Sequence, residues 1–437
     1  MHLPEYVRQC VDALETAGFA CYAVGGCVRD SLLGLIPQDY DLCTNALPAQ
    51  TKAVFAQYDL VLAGEKHGTV GVITDGGVVE ITTFRCEGDY ADNRHPGWVE
   101  FVSTIEGDLS RRDFTVNAMA YSPTRGFVDP FGGQNDLRSG ILRAVGNAAE
   151  RFTEDALRIL RGARFAVRYH LKPEADTMQA MRSKANLLDH IARERVFDEL
   201  CKLLPLVTAE DLLNFAPILT QVIPELALTM GFQQHNRNHL YDVYTHICHA
   251  TATVPQELSL RWAALLHDIG KPGTFSMGED GQGHFYGHDR LSAQIAEEVL
   301  LRLKAPNALR EEVVFLIAHH MMRPEADKKL LRRWMSKWGK ERLDKLLLLQ
   351  QADLGSKGVP GKTFPYEEIQ TIMQDLVKEN SCLTLKDLAV NGHDLIAMGL
   401  SGQAVGQCLN MLLSRVLDEE LPNEKSALMA EIRRIYL

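Results

Sequence analysis

The first part of the chain contains short apolar runs of the kind that form β-strands. The runs in CYAVGG and DYDLCT are bounded by turn residues, and two further runs flank DGG, which predicts a hairpin. The segment PEYVRQCVDALETAG has apolar residues at helical spacing and ends at Gly18. We therefore predict that the first ~140 residues form an α/β domain with a mixed sheet.

Beyond this domain the apolar positions change to helical spacing. In the segment TEDALRILRGARFAVRY they recur every three or four residues, and Thr153 is the predicted N-cap because acidic residues follow it. The rest of the chain has the same pattern, apart from the loop FSMGEDGQGHFYGH and a linker over 356–365. The pattern predicts an α+β fold, in which a mixed-sheet domain is followed by helical regions.

Composition narrows the class of protein. The 437 residues are 46% hydrophobic and 24% charged, which is typical of a globular protein. The sequence has no run of about 18 apolar residues, so we expect no membrane span. Nine cysteines without a CxxC pair, and an N-terminus without a signal-peptide core, favour the cytoplasm. The net charge of −11 argues against non-specific coating of nucleic acid but allows a local basic cleft.

Two glycines follow the first predicted strand and precede a predicted helix. Gly25 and Gly26 would let the backbone approach a phosphate closely. Arg29 lies one turn into that helix and can point at the same anion. The alternatives are a simple turn for the glycines and a surface ion pair with Asp30 for the arginine.

A pair of carboxylates comes shortly after the glycines. Asp39 and Asp41 form a D-x-D pattern on a predicted strand, and residues two apart on a strand share a face. Two such carboxylates repel unless a cation lies between them, and Mg²⁺ prefers oxygen ligands and substrate phosphates. Glu80, on another predicted strand, is a candidate third carboxylate. The alternative is a solvated turn.

A cluster of hydrogen-bond donors lies in the segment SRRDFTVNAMA. Its arginines can bind triphosphate oxygens, because arginine makes bidentate contacts with phosphate more readily than lysine. Its other polar groups suit a ribose. The candidate nucleotide ligands of this segment are Arg111, Arg112, Asp113 and Asn117.

The helical segment that follows carries a polar stripe with a spacing of three residues. The stripe consists of Asp155, Arg158, Arg161 and Arg164. Asp155 can accept a hydrogen bond from an amino group, and Arg158 can donate to ring acceptors, so together they can read the edge of a nucleobase. The alternative is a stripe of ion pairs within one helix.

In chain order, the motifs GGxVRD, DxD, RRDFTxNA, EDxxR and ERxxxE resemble those of class II tRNA nucleotidyltransferases, the CCA-adding enzymes and their bacterial poly(A) polymerase relatives in the polymerase β-like superfamily. The resemblance implies that Asp39 and Asp41 hold Mg²⁺ and that Asp155 and Arg158 read the base of ATP or CTP. The other nucleotide ligands that it implies are Gly26, Arg29, Arg112, Arg161 and Arg164. The ERxxxE motif consists of Glu194, Arg195 and Glu199, which we expect to support the base-reading helix by ion pairing.

The implied reaction is nucleotidyl transfer without a nucleic-acid template. The 3′-hydroxyl of tRNA attacks the α-phosphate of a nucleotide, and pyrophosphate leaves. The segment DYADNRHP resembles the flexible loop of full CCA-adding enzymes, whose loss is associated with CC-only addition. This favours CCA addition over CC-only addition and separates it less well from A-only addition. A poly(A) polymerase is disfavoured because the C-terminal tail is not basic.

A second motif, WAALLHDIGKPGTF, resembles the HD superfamily. In that fold, helices bring an H…HD…D pattern to a divalent metal. The implied ligands are His246, His267, Asp268 and Asp353, with His288 and either His319 or His320 as ligands of a second metal and Lys271 as a phosphate contact. The implied activity is hydrolysis of cyclic or terminal phosphates at damaged RNA 3′ ends. The alternative is a domain kept for shape and RNA docking.

These resemblances divide the chain into four expected regions: a nucleotidyltransferase domain over 1–140, a helical neck and body with the base-recognition helix over 141–230, an HD domain over 231–358, and a helical RNA-binding tail over 359–437. We expect tRNA, ATP and CTP as partners, and Mg²⁺ and a further divalent metal as cofactors. The oligomeric state and the second metal's identity stay open. The alternatives are A-only or CC-only addition, an HD phosphohydrolase with an inactive nucleotidyltransferase module, and a non-catalytic RNA-binding protein.

Overall fold

The computed structural model describes residues 1–87, 99–322, 324–359, 364–379 and 382–436. The chain divides into two compact units, Met1–Pro224 (unit 1) and Glu225–Leu437 (unit 2). The loop motif DYADNRHP, at 89–96, lies outside the described residues, as does part of the predicted linker over 356–365.

Unit 1 combines a mixed sheet with helices, as the apolar pattern predicts. Its strands are β1 Cys21–Val24, β2 Asp41–Thr44, β3 Leu60–Val61, β4 Thr69–Thr74, β5 Gly77–Thr83, β6 Arg85–Glu87, β7 Val99–Phe101, β8 Ala120–Ser122, β9 Gly126–Val128, β10 Ile141–Leu142 and β11 Lys172–Pro173. Its helices are α1 Glu5–Thr16, α2 Gly26–Leu32, α3 Pro48–Val54, α4 Ile105–Ser110, α5 Gly133–Ser139, α6 Ala148–Glu154, α7 Leu157–Arg168, α8 Ala175–Ser183, α9 Arg193–Leu203, α10 Ala209–Asn214 and α11 Ala216–Val222.

The main sheet places the candidate carboxylates side by side. Its strand order is β3-β4-β5-β2-β1-β8-β9, and β2 pairs with β5 in parallel while the other neighbours are antiparallel. In this register Asp41 lies opposite Glu80. The DGG turn joins β4 to β5, which confirms the predicted hairpin. Apolar side chains that include Tyr22, Phe84 and Leu109 form a core cluster of this unit.

The chain around Asp155 differs from the single helix predicted to begin at Thr153. The N-cap is Asn147, whose side chain accepts from the backbone N–H groups of Ala149 (3.0 Å) and Glu150 (3.3 Å). Helix α6 ends at Glu154, Asp155 has an extended backbone, and α7 begins at Leu157. Both Asn and Thr are good caps, and the earlier one caps α6 here. The Thr153 prediction was therefore wrong.

Unit 2 is helical, as predicted, apart from a short hairpin in the segment predicted as a loop. Its helices are α12 Val243–Thr253, α13 Leu258–Leu266, α14 Lys271–Thr274, α15 His288–Arg302, α16 Asn307–His319, α17 Lys328–Trp338, α18 Lys340–Gly355, α19 Tyr366–Lys378, α20 Gly392–Ala397, α21 Gln403–Leu417 and α22 Lys425–Tyr436. The hairpin consists of β12 Ser276–Met277 and β13 Gly283–His284. None of the helices in the described ranges is long and apolar enough to span a membrane.

Candidate active sites

A cleft of about 530 Å³ in unit 1 gathers most of the predicted nucleotide-binding residues. Eight arginines and five aspartates line it together with Gly25, Gly26 and Asn117. The arginines are Arg29, Arg111, Arg112, Arg158, Arg161, Arg164, Arg168 and Arg195. The excess of guanidinium groups over carboxylates suits a polyphosphate, because arginine binds phosphate oxygens in a bidentate manner.

Gly25 allows an arginine to approach the backbone at the floor of this cleft. Its φ of 73° is in the left-handed region, which favours glycine. A Cβ at this position would lie 2.7 Å from Nη1 of Arg112, so a side chain would displace that guanidinium. Gly25 is therefore needed for two reasons. It adopts the left-handed backbone conformation of the turn, and it leaves the space that the Arg112 guanidinium occupies.

The three candidate carboxylates lie on or beside the neighbouring strands β2 and β5. Asp41 is the first residue of β2 and Asp39 lies in the preceding loop, so only one residue of the D-x-D pattern is in the strand. Burial, then the charges of Asp39 and Glu80, raise the pKa of Asp41 to about 6, although Arg112 opposes the shift. Two neighbouring negative charges that raise the pKa of Asp41 fit a site for a divalent cation, which would relieve the repulsion.

Asp108 is a site residue that our sequence analysis missed. It is fully buried and accepts from Arg111 Nε (3.0 Å) and from Arg112 Nη2 (3.2 Å). Burial disfavours its ionised form, but the two arginines outweigh burial and lower the pKa of Asp108. Spacings of three and four residues on a predicted helix would have revealed these pairs. Among the described residues, Arg112 Nε is buried without a hydrogen-bond partner.

Arg29 is buried rather than a surface residue, with 5% exposure. It donates to Asp30 Oδ1 through Nε (2.8 Å) and Nη2 (2.7 Å), to the hydroxyl of Tyr169 (2.5 Å), and through Nη1 to Asn117 Oδ1. A guanidinium has five N–H donors, so these contacts within the described residues leave one for a ligand. Tyr169, whose ring also lies 4.1 Å from this guanidinium, was missed by the sequence analysis.

Asp113 is also buried and holds other site residues in place. It accepts from Arg161 Nη2 (2.7 Å) and from Asn117 Nδ2 (3.0 Å). Burial opposes its ionisation, but Arg161 and Asn117 outweigh burial and lower the pKa of Asp113 to about 2. The carboxylate therefore fixes Arg161 and the orientation of the Asn117 amide.

The candidate base-reading residues make ion pairs with groups outside their own stripe. Asp155, at the break between α6 and α7, accepts from the backbone N–H of Leu157 (3.0 Å) and from Arg195 Nη2 (3.2 Å). Arg158 donates to Glu154 Oε2 (2.7 Å). Arg164 donates to Glu199 Oε2 (2.7 Å) on α9, so Arg195 and Glu199 make the expected supporting ion pairs.

Unit 2 contains a compact group of buried side chains around the His-Asp pair. His246 Nε2 lies 3.2 Å from Asp268 Oδ2 and 3.0 Å from Asp353 Oδ1, and His267 Nε2 lies 3.3 Å from His246 Nε2. All four residues are buried, and they form a group that can hold a metal ion. The structure therefore brings together the four residues predicted for the HD site.

A second group shares one carboxylate with the first. Asp268 Oδ1 lies 3.2 Å from His288 Nε2 and 3.8 Å from His320 Nε2, and the two imidazole Nε2 atoms are 3.3 Å apart. His320, not His319, belongs to this group, because His319 stacks on Phe315 instead. Lys271 Nζ lies 2.6 Å from Asp268 Oδ2.

The chemistry of the two groups fits divalent metal ions. In each of the four histidines, Nδ1 lies 2.7–3.1 Å from a backbone carbonyl, which leaves Nε2 facing the other ligands. Burial lowers the pKa of His267, but Asp268 and Asp353 outweigh burial and raise it to about 9. Burial, then the charge of His267, lowers the pKa of His320 to about 4. Imidazoles and carboxylates turned toward one another in this way are typical metal ligands.

Three family models match separate parts of the chain. Residues 21–143 match the model of the poly A polymerase head domain, 170–228 match the probable RNA and SrmB-binding site of polymerase A, and 237–354 match the HD domain. A CCA-adding enzyme of Streptococcus mutans is 34% identical over 441 residues, which cover 99% of this chain and 98% of that protein. This chain belongs to the CCA-adding enzyme family.

Other members of the family resemble the chain at the level of sequence or fold. A CCA-adding enzyme of Ligilactobacillus salivarius is 46% identical over 206 residues, which cover 46% of this chain and 50% of that protein. The crystal structure of the Bacillus stearothermophilus CCA-adding enzyme in complex with CTP matches 99% of both chains, with a TM-score of 0.73 and 29% identity. The Thermotoga maritima CCA-adding enzyme complexed with tRNA, at 20% identity and a TM-score of 0.61, shares the fold. The fold class and the family that the motifs predict are confirmed.

Proposed function

We propose that this chain adds CCA to tRNA 3′ ends from CTP and ATP without a nucleic-acid template, and that the unit 1 cleft is its active site. The observation that carries the proposal is the register that sets Asp41 opposite Glu80 at the edge of an arginine-lined cleft. In this site Asp39 and Asp41 would hold Mg²⁺, and Glu80 would complete the carboxylate set. Bound Mg²⁺ would activate the attacking hydroxyl and stabilise the leaving pyrophosphate.

The arginines of the cleft divide into two kinds by their contacts. Arg112 keeps a buried Nε without a partner among the described residues, so it is our main candidate for binding the triphosphate. Arg29 has one N–H left for the ligand, and its other donors join α2 to Asn117 and Tyr169. Because Arg161 is bound to Asp113 and Arg164 to Glu199, we propose that these two arginines contribute mainly positive charge.

We propose that Asp155 and Arg158 select the nucleotide. Their ion pairs with Arg195 and Glu154 hold a carboxylate acceptor and a guanidinium donor beside the cleft. Fixed groups of this kind reject a base that leaves them unpaired. The amino and ring acceptor groups of cytosine and adenine are the complementary partners, so no template strand is needed.

The direct test is incubation with tRNA that lacks its CCA end, with CTP alone, ATP alone and both together. Full CCA addition predicts a CC extension with CTP, no extension with ATP, and a complete CCA end with both. A single A added to tRNA that already ends in CC, with no use of CTP, would indicate A-only addition. A product that stops at CC with both nucleotides would indicate CC-only addition.

A second function is favoured by the two ligand groups that share Asp268 in unit 2. We propose that this HD centre hydrolyses cyclic or terminal phosphates at RNA 3′ ends. Asp268 and the histidines of the two groups would hold the metal ions, which when bound would supply Lewis-acid activation of water for the hydrolysis. The test is hydrolysis of a nucleoside 2′,3′-cyclic phosphate and of a 3′-phosphorylated oligonucleotide by protein loaded in turn with Mn²⁺, Ni²⁺ or Mg²⁺. No hydrolysis with any of these metals would exclude the activity.

The cysteines support a reducing compartment. All nine are thiols rather than disulfides, and burial raises the pKa of Cys27 to about 12, which keeps that thiol protonated and inert. We propose that the protein works in the cytoplasm, where thiols stay reduced. Alkylation of protein taken directly from cells should find all nine cysteines in the thiol form.

A further inference from the structure

The HD centre contains a buried lysine beyond the one that the sequence motif indicates. Lys357 Nζ lies 3.2 Å from Asp353 Oδ2, as Lys271 Nζ lies 2.6 Å from Asp268 Oδ2. The two lysines are 7% and 4% exposed. Burying an ammonium group is costly unless it is paired, so each carboxylate of the centre stabilises one lysine.

The two lysines differ in how many of their donors are used. Lys271 also donates to Gln234 Oε1 (2.9 Å), and its ammonium lies 5.4 Å from the centroid of the Phe285 ring. Within the described part of the chain, the ammonium of Lys357 contacts Asp353 alone. An ammonium has three N–H donors, so Lys357 retains two for another acceptor.

The backbone of Lys357 is fixed beside the metal-ligating histidines. Its carbonyl accepts from the backbone N–H of Leu240 (2.9 Å). The carbonyl of the preceding Ser356 lies 3.1 Å from Nδ1 of His246. The base of the side chain is therefore held in place, while rotation about its flexible stem can move the ammonium from Asp353 to a neighbouring ligand.

The charges of the centre indicate what that ligand is. Two lysines balance the two aspartates, and each divalent cation bound to the same carboxylates would add two positive charges in a buried site. A buried, low-dielectric site with an excess of positive charge attracts an anion. An ammonium displaced from its carboxylate in this site needs an anionic acceptor, and a phosphate oxygen is one.

We propose that Lys357 is a phosphate-binding residue of the HD centre. It holds Asp353 in the absence of metal and donates to a substrate phosphate oxygen once Asp353 ligates a metal ion. The proposal rests on the phosphohydrolase function proposed above for the same centre. Lys357 would be a second cationic side chain of the centre, in addition to Lys271, and together they would select phosphate esters as the substrate class.

The test is calorimetric titration of the full chain, first with Mn²⁺ and then with inorganic phosphate. The variants are Lys357→Met, Lys357→Arg and, as the matched control, Lys378→Met, which removes a lysine with a 72% exposed side chain. Binding to the HD centre is taken as the signal that Asp268→Ala removes. Lys357→Met should bind Mn²⁺ at least as tightly as the parent, because Asp353 loses a competing cation.

Phosphate affinity of the Mn²⁺-loaded protein should fall about tenfold in Lys357→Met, the loss expected for a charged hydrogen bond. Lys357→Arg should recover most of it, and Lys378→Met should match the parent. An unchanged phosphate affinity in Lys357→Met, or weaker Mn²⁺ binding together with a lower melting temperature, would overturn this inference alone. If the parent binds no Mn²⁺ in this centre, the phosphohydrolase proposal fails and this inference with it.

Discussion

The candidate metal ligands of the unit 1 cleft are more exposed than those of the HD centre in unit 2, which are buried. Asp39 and Asp41, just before and at the start of β2, keep solvent-exposed surface although neighbouring groups partly desolvate the Asp41 carboxylate, while His246 and His267 are 0% exposed. In each HD group the ligand atoms lie within 4.8 Å of one another, and the carboxylates of Asp39, Asp41 and Glu80 are not among the groups of this kind found in the described residues. Under the proposed function, this difference predicts that nucleotide phosphates complete the metal shell of the cleft, whereas the HD residues hold a metal ion without substrate.

The largest expected effect comes from removing the central carboxylate of the cleft. Asp41→Asn should lower CMP incorporation into tRNA lacking CCA by at least about 100-fold, because an amide is a poor substitute for a charged metal ligand. The HD centre should retain its metal and its phosphohydrolase activity. Asp12→Asn, which alters an exposed residue of α1, is the control. Incorporation that survives in Asp41→Asn would refute the assignment of the active site.

Asp268→Ala should empty both HD groups, because they share this carboxylate. After dialysis and elemental analysis the parent should retain metal and the variant should not, and phosphate hydrolysis should vanish while nucleotide addition changes by less than about twofold. His319→Ala is the matched control, since His319 lies outside both groups. Metal retained in Asp268→Ala would mean that the resident site lies elsewhere.

The pH dependence should distinguish the centres. The folded pKa of Asp41, about 6, is above the ordinary carboxyl value, so this group is ionised above pH 6 and takes up a proton below it. At limiting Mg²⁺, nucleotide addition should therefore fall as the pH drops from about 7 to about 5, approaching tenfold per unit below the pKa. Added Mg²⁺ should move the fall to lower pH. A profile that does not depend on Mg²⁺ would contradict competition between proton and metal.

The smallest expected effect concerns the hydroxyl that supports Arg29. Tyr169→Phe removes this acceptor but keeps the ring against the guanidinium. We expect KM for CTP to rise about fivefold and kcat to stay within about twofold, since a charged hydrogen bond contributes roughly 1–3 kcal/mol. Tyr58→Phe, at a partly exposed tyrosine, is the control. A loss confined to kcat would show that Tyr169 acts on the chemical step instead.

Strands and turns that depend on local residue patterns could be predicted from the sequence. Helix starts and contacts that depend on several elements packing together could not. Glu80 was a candidate only because it lies on an apolar predicted strand, and the register of β2 with β5 places it opposite Asp41. Capping residues could not place the start of α7, because its N-cap is Ala156, which makes no side-chain capping hydrogen bond. Tyr169 went unnoticed because its contact with Arg29 joins segments 140 residues apart. The local spacing of Asp108 from Arg111 and Arg112 was available in the sequence but was overlooked.

The choice between His319 and His320 shows the same limit on a smaller scale. Adjacent residues near the end of a helix point about 100° apart, so only one can face the HD ligands. The sequence analysis left both histidines as candidate ligands. In the structure, α16 packs against its neighbours so that His320 belongs to the ligand group. By contrast, the resemblance of the H…HD…D pattern to a known arrangement pointed to four residues that the structure brings together.

The parallel pairing of β2 with β5 sets which changes in chain length this enzyme can tolerate. Glu80 lies in β5 three residues beyond Gly77, where the hairpin from β4 closes. One residue inserted between these positions would turn the Glu80 side chain to the other face of the sheet, away from Asp41. The segment from α3 to β3 lies outside this pairing and can change in length without moving either carboxylate. Insertions should therefore be selected against between Gly77 and Glu80 and accepted in the loop before β3.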